Sequence, residues 1–269
     1  MKRLLLLAAL VLVAQTAQAK DCDVAILNGR VMDPETKLDA VRNVCVEGGK
    51  ITAITTDEIS GRETIDASDH VVAPGFIDGH VHIVDVPLGQ KALLRDGVTT
   101  TLDLEAGAMP VGRWYDDLEG KSQTNYGATV SVGGARTGTF DPNYLKKTRS
   151  SNIVFDMFSG VKVTGDTYSR VPTDAETDNI LQLVEQGLKE GALGVGPPVG
   201  YMVDGLTSKE MVGVQKLAGK YDRFSHVHTR FSSQTAPTSG ILAFQEAIAS
   251  AGAFGGGVII AHSRHRRSI

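Results

Sequence analysis

The sequence predicts an α/β protein in which βα units build a parallel sheet of the (β/α)8-barrel type, behind a small all-β part. Three observations predict it. From Ala73 onward, strand-like stretches alternate with helical ones, as in a parallel sheet with crossover helices. Residues 22–72 hold only short apolar runs separated by turn residues. Side chains able to do chemistry collect where the strands of the second region end, and those ends carry the active site in a (β/α)8 barrel.

The elements follow in order. Residues 1–19 combine Met1-Lys2-Arg3, an apolar block from Leu4 to Ala14 and the small-x-small box Ala17-Gln18-Ala19. These are the charge, short apolar core and cleavage site of a secretory signal peptide. The block is too short to stay in a bilayer as a spanning helix. The mature chain is expected to start at Lys20, in the periplasm or outside the cell, with no membrane partner after signal removal. The remaining length suits one large domain or two small ones. Net charge is −4, and the one basic cluster is Arg264-His265-Arg266-Arg267, so no nucleic-acid surface is expected. Export permits a disulfide between the two cysteines, Cys22 and Cys45, although spacing alone does not make their strands neighbours.

Residues 20–72 read as the all-β part. Asp23 to Val31 is a strand broken by an Asn28-Gly29 turn, Val41–Val46 a second strand, Glu47–Lys50 a turn and Ile51–Ile54 a third strand. Residues 73–269 read as the barrel. Gly75–Ile83 is its first strand, buried by its apolar run, and Pro87–Asp96 a helix. Gly97–Leu104 is the second strand, rich in β-branched residues, and Asn125–Val132 the third. Residues 139–172 read as an excursion over the sheet. Thr173 caps a helix through Glu190, with Glu176 three residues on and apolar residues at helical spacing. Gly191–Gly196 is the fourth strand, Ser208–Ala218 a helix, Phe224–Thr229 the fifth strand, Ile241–Ala251 a helix and Gly257–Ala261 the sixth strand.

His80 and His82 end the first strand. Residues i and i+2 of a strand share a face about 7 Å apart, so two imidazoles can clasp one divalent ion. Glu105 ends the second strand, His226 and His228 the fifth and His262 the sixth. Four strand ends thus each offer a metal ligand. For Glu105 the alternative is a cap on the following helix, and both readings stay open.

Ala73-Pro74-Gly75-Phe76-Ile77-Asp78-Gly79-His80-Val81-His82 resembles the first-strand signature of the amidohydrolase superfamily. Asp23–Val31 with Gly49-Lys50-Ile51 resembles its N-terminal β-sandwich, and Gly97-Val98-Thr99-Thr100 its second strand. Gly191-Ala192-Leu193-Gly194, Tyr201 and His228-Thr229-Arg230 resemble the D-aminoacylase branch, the N-acyl-D-amino-acid and D-glutamate deacylases. The resemblance implies metal-assisted hydrolysis of an amide, with one or two divalent ions, zinc first among them. It implies His80 and His82 as ligands of the first ion, and His228 and His262 as ligands of a second or as completion of one site. The branch often has a cysteine where Ala106 stands, and Glu105 beside it is the candidate to serve instead; Lys162, if carboxylated, is a second bridging candidate. Asp78 is expected to orient an imidazole, and His226 to be a core residue behind the site. Tyr201 falls where the branch places a tyrosine near substrate, and Arg264, Arg136 and Arg230 are candidate cations for the carboxylate of a small N-acyl amino acid.

One departure bears on function. The superfamily's catalytic aspartate ends the eighth strand, whereas only strands one to six are read here, and Ser263–Ile269 reads as a premature or frame-shifted end. No catalytic residue is therefore expected in the chain. Three functions remain in view: hydrolysis of N-acyl-D-amino acids, hydrolysis of cyclic amides or dipeptides on the same fold, and a truncated, inactive metal-binding fragment or pseudoenzyme.

Overall fold

The computed structural model describes residues 20–147, 166–231 and 239–261. The chain divides into two compact units, one ending at Pro74 and the other beginning at Gly75.

The first unit is a five-stranded sheet. Strand β1 (Lys20–Asp33) pairs antiparallel with β2 (Leu38–Glu47) and parallel with β4 (Ile59–Asp66) and β5 (Val71–Val72); β3 (Lys50–Thr55) lies outside β2. Gly48 and Gly49 both take positive φ in the β2–β3 turn, which suits the twist of a tight hairpin. The Asn28-Gly29 pair does not break its strand. Asn28 sits at φ 62°, the register with β2 slips between Ile26 and Gly29, and β1 continues to Asp33. An Asn-Gly pair can serve a bulge as well as a turn, and here Asn43 Oδ1 accepts from the Asn28 amide at 2.9 Å. Cys22 and Cys45 are joined by a disulfide, Cα to Cα 5.6 Å, and pack with Ala25 and Ile59.

The second unit is an all-parallel six-stranded sheet in sequence order: β6 (Phe76–Asp78), β7 (Val98–Ala108), β8 (Asn125–Ser131), β9 (Gly194–Gly196), β10 (Phe224–His228) and β11 (Val258–Ala261). Strands joined through helices and added always on the same side make the partial barrel that the sequence predicts. The sheet curls enough for β7 to touch both β9 and β10. Its helices are α1 (Pro87–Arg95), α2 (Val111–Leu118), α3 (Val132–Phe140), the single turns α4 (Tyr144–Lys147) and α5 (Asp166–Ser169), α6 (Asp174–Lys189), α7 (Ser208–Lys220) and α8 (Gly240–Ala253). The main core joins Val130 and Val195 of the sheet to Ile180, Val184 and Leu188 of α6 and Met211 and Val214 of α7. Each such side chain contributes about 1.5–3 kcal/mol by leaving water. At the start of α6, Thr173 accepts from the Glu176 amide and Glu176 accepts from the Thr173 amide, which closes the capping box.

Two expectations are corrected here. The first barrel strand is three residues long, not nine. Asp78 Oδ1 accepts from the His80 backbone N–H at 3.0 Å, so the chain bends away before the histidines. Nor is that strand buried: β6 is an edge, and Phe76 and Ile77 are 67% and 69% exposed. Helix α2 is the helix that follows Glu105, for which the sequence gives no bounds, and α3 is not foreseen in the sequence.

Candidate metal centre

The centre is built on a bulge in β7. Strands β7 and β8 pair from Thr100↔Asn125 to Asp103↔Ala128 and meet again at Ala108↔Val130, so Leu104–Gly107 oppose the single residue Thr129. Surplus residues on one strand must leave the ladder, and the side chain among them is re-aimed. Three of the freed backbone groups find side-chain partners. Asp103 Oδ1 accepts from the amides of Ala106 and Gly107 at 3.1 and 3.0 Å, and Thr129 Oγ1 donates to the Leu104 carbonyl at 2.9 Å. Gly107 takes φ +68°, and a Cβ there would lie 2.6 Å from the Thr129 carbonyl oxygen. Gly196 on β9 leaves room for the bulge, since a Cβ would sit 2.5 Å from the Glu105 carbonyl oxygen.

The bulge presents Glu105. Its carboxylate is almost fully buried, and three imidazoles meet it. Oε2 faces His80 Nε2 at 2.8 Å and His82 Nε2 at 3.2 Å, while Oε1 is in hydrogen-bond contact with His228 Nδ1. His80 and His82 are not in a regular strand, yet they stay beside β7: His80 bridges Asp103, and the Val81 amide donates to the Leu102 carbonyl at 3.1 Å. The other nitrogen of His82, Nδ1, lies 3.2 Å from Asp103 Oδ1. One carboxylate thus supports the bulge and orients an imidazole.

Burial pushes the Glu105 carboxyl up, but its bonds to His228 and His82 outweigh burial and hold it below the usual carboxylate range. His82 is pushed up to about 10, by its bonds to Asp103 first and Glu105 second, against burial. Tyr201, in the 3-10 turn Val199–Tyr201, lies with its ring centroid 4.5 Å from that of His228. Burial and the Glu105 charge raise its phenol.

The structure brings His80, His82, Glu105, His228 and Tyr201 together. Arg136 is a correction: it is not available to a substrate. Its guanidinium is fully buried on α3, donating to Glu210 at 2.5 Å and to the carbonyls of Thr167 and Arg170 at 2.8 and 2.6 Å. A cation so desolvated persists because each of its three nitrogens donates to an acceptor, one of them a carboxylate. Arg230 spends its planar fork on Glu246, at 2.9 Å to each oxygen. Asp78 bonds the His80 backbone rather than an imidazole. His262, Arg264 and Lys162 lie outside the described residues. Sequence reasoning missed Asp103; its place two residues before Glu105 was the available signal, by strand parity.

The donor set fits a divalent ion. Ligand atoms of His80, His82 and Glu105 lie within 4.8 Å of one another, the one such group besides Cys22, Cys45 and Glu47 among the described residues. Donors held about 2.0–2.2 Å from one ion stand at most about 4.4 Å apart, so small shifts suffice. The His82 Nδ1 bond to Asp103 is the carboxylate support that metal-bound imidazoles usually have. Cysteines joined in a disulfide offer no thiolate, so the other group is not a counterpart.

With this geometry in hand, the fold is that of solved amidohydrolases. The N-acyl-D-glutamate deacylase from Bordetella bronchiseptica, complexed with zinc and a phosphonate inhibitor, is similar with a TM-score of 0.68 and 21% identity, over 89% of this chain and 51% of that one. A D-aminoacylase described as defining a novel subset of amidohydrolases is similar with a TM-score of 0.68 and 20% identity, over 90% and 52%. The L-hydantoinase (dihydropyrimidinase) from Arthrobacter aurescens is similar with a TM-score of 0.54 and 17% identity, over 89% and 52%. Among curated proteins, the dihydroorotase of Streptococcus pneumoniae is 44% identical over 86 residues, 29% of this chain and 20% of that protein. No family model matches the chain. The chain spans about half the length of the solved structures it resembles, and its match covers a fifth of the dihydroorotase.

Proposed function

We propose that this protein is a metal-dependent amidohydrolase that cleaves a C–N bond of a small-molecule amide, with N-acyl-D-amino acids as the substrate class. The observation that carries the reading is the Glu105 carboxylate set among His80, His82 and His228 on a barrel of amidohydrolase form. His80, His82 and Glu105 would hold one divalent ion, zinc first among candidates. Oε1 of Glu105 and His228 would hold a second or enclose the first. When bound, such an ion polarises the amide carbonyl and lowers the pKa of water. Asp103 fixes which His82 nitrogen faces the centre, and the Tyr201 ring packs against that of His228. The deacylase and D-aminoacylase likenesses support the substrate class.

A second reading, hydrolysis of a cyclic amide, is favoured by the stretch 44% identical to a dihydroorotase and by the hydantoinase likeness. The signal-like residues 1–19 would make either activity a periplasmic or secreted one. The Cys22–Cys45 disulfide suits an oxidising compartment. No described helix is long and apolar enough to cross a membrane. The test is to load the purified chain with zinc and assay N-acetyl-D-glutamate and hydantoin side by side. Release of acetate from the first supports the deacylase reading, and ring opening of the second supports the alternative. Bound zinc without turnover of either supports a metal-binding fragment or pseudoenzyme. Failure to bind zinc at all would remove both enzyme readings.

A further inference from the structure

His226 is absorbed by none of these roles. It lies on β10 with the parity of His228, and it is 4% exposed. Its Nδ1 is buried with no hydrogen-bond partner among the described residues. The ring lies beside the Leu104 backbone, and with Nδ1 unpartnered the nitrogen on that side is Nε2. Its other neighbour is His80: the ring centroids are 5.5 Å apart and the planes 81° apart, an edge-to-face contact. The Leu104 carbonyl is the first acceptor of the β7 bulge and also receives Thr129 Oγ1. Glu105 is the next residue. One imidazole therefore packs against His80 and faces the peptide that joins Leu104 to Glu105, whose Oε2 lies 2.8 Å from His80 Nε2.

We infer that His226 is a positioning residue of the metal centre. It fixes the peptide that carries Glu105 and the plane of the His80 ring, and so sets the distance between those two ligands. A ligand pair held only by its own bonds would rearrange around each ion; a pair braced from β10 keeps one geometry. His226 is not itself among the grouped ligand atoms.

This inference rests on the metal-centre reading. The experiment uses the full chain loaded with cobalt(II), whose visible absorption reports ligand geometry. His226→Ala removes both contacts, His226→Gln can keep the contact with Leu104, and His226→Phe keeps the ring edge on His80. Val184→Ala, in the α6 core, controls for lost stability. The expected result is a shifted cobalt spectrum and about ten-fold or more weaker binding for His226→Ala, with intermediate values for the other two, as is usual when a ligand's support is removed. Val184→Ala should keep the wild-type spectrum whatever its melting temperature. Wild-type affinity and spectrum in His226→Ala would overturn the inference while leaving the metal centre intact. Should His226→Ala not fold, wild-type spectra in both Gln and Phe variants would overturn it equally. Absence of cobalt from the wild-type chain would instead refute the centre and this role with it.

Discussion

Asp103 has two tasks that ordinarily need two residues. Its Oδ1 accepts from two bulge amides and meets His82 Nδ1. Asp103→Asn keeps an acceptor oxygen but loses the charge that holds His82 in place. We expect zinc affinity to fall about 10–100-fold with the fold retained, measured by competition with a chelating dye. The same contact sets a pH dependence. Without a bound cation, Asp103 and Glu105 keep the His82 proton up to about pH 10. The ion takes only the neutral ring, so binding must expel that proton. Zinc affinity should therefore rise steadily from pH 7 to 9, with proton release visible by calorimetry in buffers of different ionisation heat. The sign for stability is opposite: a histidine raised from 6.5 stabilises the cation-free fold fully below pH 6.5 and loses that contribution as pH rises through about 10. The sequence made the pair His80 and His82 legible by type and spacing; Glu105 stood between two readings there, and its place on the bulge beside three imidazoles favours the ligand one. The sequence left Asp103 in the shadow of Glu105, and it could not show that Arg136 is sealed away, since its partner Glu210 is remote in the chain.

At the scale of elements, helix α6 was legible to within a residue because its cap, capping box and apolar spacing all agree. Helix α3 was not. Its sequence, VGGARTGTF, is poor in helix formers, and what holds it is tertiary. Ser131 accepts from the Gly134 amide, and a Cβ on Gly134 or Gly138 would press within 2.7 Å of Met109 or Leu145. The β7 bulge was equally hidden, for its partners sit on β8, β9 and β10. This makes Gly196 an informative position. Gly196→Ala brings a methyl against the Glu105 carbonyl oxygen and Thr129 Oγ1, both 2.5 Å from the ideal Cβ. Overpacking of this kind costs about 1–3 kcal/mol. We expect a lower urea midpoint together with weaker zinc binding, because the atom displaced belongs to the ligand-bearing residue. A loss of stability with unchanged zinc affinity would show that the bulge does not position Glu105.

Across the second unit, the buried Arg136–Glu210 pair joins α3, α5 and α7 at one point. Burial drives the Glu210 carboxyl up to about 7 against the pull of Arg136. Glu210→Ala leaves a desolvated guanidinium without its counter-charge, and we expect a loss of about 3–5 kcal/mol in chemical denaturation. Glu210→Gln, which keeps an acceptor, should lose less. The partial barrel itself was legible from the alternation of strands and helices. The exposure of Phe76 and Ile77 was not, because an apolar run looks alike at a sheet's edge and at its centre.

The Cys22–Cys45 bond has a consequence of a different kind. It closes a loop within the first unit, whereas the proposed metal ligands all belong to the second. Closing a loop of that order stabilises a fold by about 3 kcal/mol, and only where thiols are oxidised. The two sulfurs thus keep a biochemical passport. A chain folded in reducing cytosol would carry free thiols that alkylate and change its mass, and one that crossed the membrane first would not. Mass spectrometry of protein taken from its own cells would read that history without any assay of activity.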